Sequence, residues 1–210
     1  MTDETPQESK PVARRLGLTR SNAVAYYQRG LKSFEDGDLE NAILDLNEAI
    51  YLDEGHAEYY STRGLFYIEN GQSDEAKIDL NYALKLSKRQ WLAHYSLAML
   101  AHNDGDYEAA IKHFTEATKI RSDRPEIWYY RAITQHSQGD DAQAVSDMER
   151  AEQLFPPSDK RRKDAAAWVK EFKKTSLSPI PQSKAPPLNP PPERPQLNAP
   201  GSSESSRRMP

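Results

Sequence analysis

WLAHYSLAMLAHNDGDYEAAIKHFTEATKIRS, residues 91–122, reads as two amphipathic helices joined by an Asn-Asp-Gly-Asp break. The apolar spacing predicts the first helix over Trp91–Asn103 and the second over Tyr107–Ile120. Gly105 suits the left-handed stop of the first, and Asp106 can cap the second by accepting from a free N–H of its opening turn. The stretch recurs when the sequence is shifted by 34 residues. Gly105 then falls on Gly37, Gly71 and Gly139; Ala110 on Ala42, Ala76 and Ala144; Ala117 on Ala49, Ala83 and Ala151; Ile120 on Leu52, Leu86 and Leu154.

Four aligned copies divide the chain into repeats at 23–56, 57–90, 91–124 and 125–158. Gly30, Gly64, Ala98 and Ala132 share one place in the first helix of each copy, opposite the alanines of the second. Facing small side chains let paired helices approach closely. Tyr26, Tyr60 and Trp128, with Leu46, Leu80, Phe114 and Met148, fill the space around them. Ser21 or Asn22 is expected to cap the first helix. Asp123, Pro125 and Glu126 are expected to form a capping box at the fourth repeat, as are Asp140 and Gln143 at its second helix.

These residues resemble the tetratricopeptide repeat family, over 23–158 and at the family's period. The resemblance implies an all-α, right-handed superhelical array of antiparallel helix pairs. His94 departs from the pattern, standing where an aromatic is usual. Lys160, Arg161, Ala165, Trp168, Val169, Phe172 and Lys173 predict a further amphipathic helix over 159–175, which would cap the last apolar face. Residues 1–22 and 176–210 are expected to be disordered, the latter with polyproline character, since most of the 15 prolines lie there.

Composition limits function. The chain has 210 residues, 37% hydrophobic, with no cysteine, so disulfides and thiolate chemistry are excluded. No apolar run is long enough to span a bilayer, and the acidic start, MTDETPQESK, does not read as a leader, so a cytoplasmic protein is expected. The net charge of −4 is unevenly spread, the repeats being acidic and the flanks basic, which makes the array a poor general binder of nucleic acid. No phosphate loop, nucleophile elbow or zinc motif emerges, so neither an enzyme nor a cofactor is expected. His102 and His136 share one place in the first helices of consecutive repeats and are expected to be neighbours. Without a third ligand at suitable spacing, a metal is not expected there.

The family's geometry implies that the first helices of the repeats line a concave, partner-binding groove. Its lining would be Tyr27, Leu31, Phe34, Leu65, Ile68, Leu92, Tyr95, Met99, His102, Tyr129, Ile133 and His136, edged by Glu35, Glu58, Glu69 and Glu126. Such a groove suits an extended or helical protein segment with apolar anchors and a Lys or Arg. Some family members clamp acidic chaperone tails with cations. Here the matching places hold Tyr27, Leu31, Thr62, Leu92 and Ser96 or, one repeat on, Ser61, Leu65, Ser96, Glu126 and Tyr130, and neither set supplies a cation. An adaptor, scaffold or assembly factor is therefore the expected role. The alternatives are a basic 160–174 helix contacting nucleic acid or anionic membrane, and a regulatory subunit of a separate enzyme. In the tail, Lys184 with Pro187 and Pro190 forms a PxxP-type motif, and the basic tail has the charge to fold back over the acidic groove.

Overall fold

A computed structural model describes residues 18–175. The expected N-terminal segment up to residue 17, the proline-rich segment from 176, its Lys184–Pro190 motif and the folded-back tail lie outside the described residues. Among the described residues the secondary structure is helical throughout: α1 Leu18–Glu35, α2 Leu39–Leu52, α3 Ala57–Glu69, α4 Ser73–Leu86, α5 Trp91–Asn103, α6 Tyr107–Ile120, α7 Pro125–Gln138, α8 Asp141–Leu154 and α9 Lys160–Thr175. Each odd-numbered helix from α1 to α7 packs against the next to form a repeat, and each repeat packs against its successor. The array is the all-α stack of helix pairs that the period implies.

The helix ends follow from the turn residues. Gly37, Gly71, Gly105 and Gly139 take φ of +86°, +75°, +82° and +93°, where a side chain would be strained. The residue after each glycine donates its N–H back five positions, as Asp106 does to the Ala101 carbonyl at 2.8 Å. This satisfies a carbonyl that the helix end leaves free. Asp38, Asp106 and Asp140 then accept from the backbone N–H of Asn41, Ala109 and Gln143. Gln72, in the same place before α4, makes no side-chain cap.

Two expected caps differ. α1 already runs through Ser21 and Asn22, so neither is at its start. Before α7 the cap position is Arg124, while Asp123 turns its carboxylate onto Arg121 through two bonds of 2.8 Å. That nearby guanidinium outcompetes a single backbone N–H and holds the Asp123 carboxyl down at about 2.

The small residues meet as the spacing requires. A Cβ on Gly30 would lie 2.5 Å from Leu46 Cδ2, and one on Gly64 would lie 2.7 Å from Leu80 Cγ. The pairing is specific to each repeat. Glycine opposes the γ-branched Leu46 and Leu80 in the first two repeats, whereas Ala98 and Ala132 occupy that place in the repeats that carry Phe114 and Met148.

α5 is the exception to amphipathicity. Its Ala93, Leu97 and Leu100 belong to the core of the first two repeats, while Leu92, Tyr95 and Met99 belong to the core of the last two. A helix with neighbours on both sides buries most of its circumference. α9 closes the array by burying Ala165, Val169 and Phe172 against the preceding helices, with Trp168 half-buried beside them.

Candidate functional site

The expected groove residues all stand on odd-numbered helices, and most of them are interior. Tyr27, Phe34, Leu65, Leu92, Tyr95, Met99, His102 and Ile133 are buried; Leu31, Ile68, Tyr129 and His136 remain partly exposed. The reason is that each large side chain wedges against the next repeat. Tyr27 packs against Tyr59 with the rings tilted and their centres 5.0 Å apart and shares a hydrogen bond with Thr62 Oγ1, and Phe34 stacks at 4.3 Å on Phe66. Tyr95 meets both Phe114 and Tyr130 edge-on. Periodicity identifies a helix face but does not tell an inter-repeat wedge from a groove lining.

His102 and His136 each have their own partner. Thr134 donates its hydroxyl proton to the Tyr130 carbonyl, so its oxygen accepts from His102 Nδ1 at 2.9 Å. His136 Nδ1 bonds Asp141 at 2.5 Å, and its ring stacks at 4.5 Å on Phe172 of α9. Among the described residues no three His, Asp or Glu side chains are grouped to hold a metal ion.

Burial pushes the Tyr27 hydroxyl up, and Glu58 pushes it further. Burial also raises Tyr95 and Tyr130, and Glu126 and Glu69 add to both shifts. Tyr59 is pushed up to about 12 by burial, with Asp53 and Glu58 contributing. Arg161 opposes the shift at Tyr95 and Tyr130, and Arg20 opposes it at Tyr59. The Tyr95 hydroxyl is buried and makes no hydrogen bond among the described residues, an arrangement that costs about 1–3 kcal/mol.

The most regular polar feature was missed at sequence level. Arg29, Arg63 and Arg131 each form a two-pronged ion pair with the aspartate 16 residues on, respectively Asp45, Asp79 and Asp147. Each guanidinium also lies over the ring three residues before it, Tyr26, Tyr60 or Trp128. Arg63 and Arg131 reach back to the preceding repeat as well, donating to Asn47 Oδ1 at 2.7 Å and to Thr115 Oγ1 at 3.2 Å. The 34-residue spacing of these arginines and aspartates carries the signal. The third repeat replaces the unit with His94, Leu97 and His113.

Of the basic groups on α9 and just before it, several are engaged. Arg161 pairs with Asp159, Lys173 with Glu149 and Lys174 with Glu171. No helix among the described residues is long and apolar enough to cross a membrane.

Sequence models described as tetratricopeptide repeat match residues 23–56 and 57–90, and one described as TPR repeat matches residues 102–139. A search of curated proteins gave no significant match. Among solved structures, pilF of Pseudomonas aeruginosa superposes with a TM-score of 0.66 at 19% identity, covering 75% of this chain and 71% of its own. YrrB, described as a TPR protein with an unusual peptide-binding site, gives 0.54 at 19%, covering 76% and 78%. The Yersinia enterocolitica secretion chaperone SycD, in complex with a peptide of the translocator YopD, gives 0.51 at 15%, covering 57% and 93%. At these identities the likeness is one of fold.

Proposed function

The chain belongs to the tetratricopeptide repeat family, and on that premise we propose that it is a protein–protein interaction module that receives a cationic, apolar-anchored segment along its odd-numbered helices. Two neighbours of the same fold are described by their peptide binding. The observation that carries the specific reading is that the half-buried Glu58 and the exposed Glu69 stand on α3, the helix that also carries the partly exposed Ile68. A Lys or Arg on the partner would meet Glu58 and Glu69, while apolar side chains meet the partly exposed Leu31, Ile68 and Tyr129. The role is that of an adaptor, scaffold or assembly factor, without catalysis of its own.

Selection of binders from a random peptide display library tests the reading. The selected peptides should carry Lys or Arg beside apolar residues, and Ile68→Glu should weaken them by about tenfold or more, on the order of 1.4 kcal/mol. Selection of acidic peptides, or binding indifferent to Ile68→Glu, would sink it.

A further inference from the structure

The exposed large apolar side chains are not spread over the array. Leu44 and Tyr51 on α2, and Ile78, Tyr82 and Leu86 on α4, are 53%, 55%, 70%, 41% and 39% exposed. The repeat supplies its own control. Leu86 occupies a place that is apolar in every copy. The place of Leu44 and Ile78, however, is Lys112 in the third repeat and Ser146 in the fourth. That of Tyr51 becomes Lys119 and Gln153, and that of Tyr82 becomes Glu116 and Arg150. Folding of a repeat therefore does not require these apolar groups, and a localised apolar surface on a polar protein marks a contact.

On α4 the exposed face has a definite pattern. Glu75, Ile78, Tyr82 and Lys85 are all exposed and follow 3-4-3 spacing, which places them in one stripe. The stripe is acidic at the helix start, apolar in the middle and basic at the end. Tyr82 is steadied at its inner edge by Tyr60, at 4.6 Å between rings, and the two help to line a shallow cleft of about 500 Å³. Among the described residues, Glu75 accepts a long hydrogen bond from Gln72, 3.3 Å.

We propose that this face binds a second copy of the same chain, with α4 packed antiparallel to its symmetry mate. In the two-fold register that sets Ile78 against Tyr82 of the second copy, Glu75 meets Lys85 of that copy, and the reciprocal contacts form at once. A two-fold interface must be self-complementary, and this stripe is so in both charge and apolarity. A partner uniformly acidic or uniformly basic would satisfy one end and repel the other. α2 extends the surface. Arg63 bonds Asn47 of α2 and Asp79 of α4 together, so Leu44 and Tyr51 stand on the neighbouring helix. Apart from Tyr60, which backs Tyr82, the face is built from the even-numbered helices, so dimerisation and segment binding along Leu31, Ile68 and Tyr129 are separable.

Sedimentation of the full chain over a wide concentration range tests the proposal. The wild type should pass from monomer to dimer with concentration. Ile78→Glu, at an exposed position where the fold is indifferent, should weaken the dimer by about a hundredfold. Glu75→Lys or Lys85→Glu alone should weaken it by about tenfold, because each sets like charges together at both ends. Mixing those two single variants should restore association, since every altered residue then faces its opposite. A wild type monomeric at all concentrations, a dimer that survives Ile78→Glu, or a mixture no tighter than its components would overturn it.

Discussion

His94 and His113 face each other Nδ1 to Nδ1 at 3.1 Å, in the one repeat that lacks the arginine–aspartate pair. His113 holds the place of Asp45, Asp79 and Asp147, Leu97 that of the arginines, and His94 that of the stacking aromatic. The Lys88 carbonyl can only accept, so His94 Nε2, 3.2 Å away, carries a proton and its Nδ1 is bare. His113 Nδ1–H is then the donor. A first added proton sits on His113 Nε2 and keeps the contact. A second must sit on His94 Nδ1 and sets two N–H groups against each other.

This predicts a loss of stability on acidification. Burial lowers both imidazoles below the ordinary 6.5, and for His113 the neighbouring His94 and Lys112 lower it further. The Lys88 carbonyl and Glu116 oppose the shift at His94, and Glu116 opposes it at His113, without reversing either. A depressed pKa means that the unfolded chain binds more protons. The stabilisation is therefore complete above pH 6.5 and is lost as pH falls through the folded values. Partial exposure limits the effect to about 1 kcal/mol or less. Denaturant titrations between neutral pH and the acid side of this range should show a drop that is reduced in His94→Tyr/Leu97→Arg/His113→Asp, which restores the unit of the other repeats. Equal pH dependence in the two proteins would refute the assignment.

The glycine–leucine pairing predicts a compensated substitution. Gly64→Ala alone should destabilise the array by about 1–3 kcal/mol, because the Leu80 branch point stands where the new methyl goes. Gly64→Ala/Leu80→Met, which copies the Ala132–Met148 pair of the fourth repeat, should recover most of that loss. Thermal unfolding of the two single variants and the double variant gives the coupling directly.

The three arginine–aspartate pairs should differ in cost when the acid is removed. The side-chain exposure of the arginine falls from 64% at Arg29 to 17% at Arg63 and 13% at Arg131. Asp147→Ala would leave a nearly buried guanidinium with only the Thr115 and Thr118 hydroxyls and should cost about 3 kcal/mol. Asp79→Ala should follow closely, since Arg63 is only slightly more exposed, and Asp45→Ala should cost least because Arg29 is hydrated. Urea midpoints in any other order would contradict the burial argument.

The missing cap at α4 offers a gain. Gln72→Asp should place a carboxylate where Asp38, Asp106 and Asp140 cap their helices, stabilising the protein by about 1 kcal/mol. A lower melting temperature in that variant would show that Gln72 is held for its bond to Asn70 instead, 2.5 Å long.

Positional pattern alone was enough for the architecture. Gly37 to Gly139, the alanine columns and the terminal Ala165–Phe172 face specify helix lengths, turns and pairing, because each is a local demand of backbone geometry or of helix contact. The spans of α5 and α6 follow from Trp91–Ile120 without any three-dimensional information. The candidate site is different. Whether Tyr95 or Met99 lines a groove or wedges between repeats depends on how closely the neighbouring helix approaches, and the structure buries both. Asp123 was assigned to a cap by spacing, but Arg121 takes it by proximity. The contact of His94 with His113 joins residues whose rings meet only when two helices pack. Local rules are written in the sequence; which side chains remain exposed, and which charges find each other, was decided by tertiary packing, because burial is a property of the neighbours.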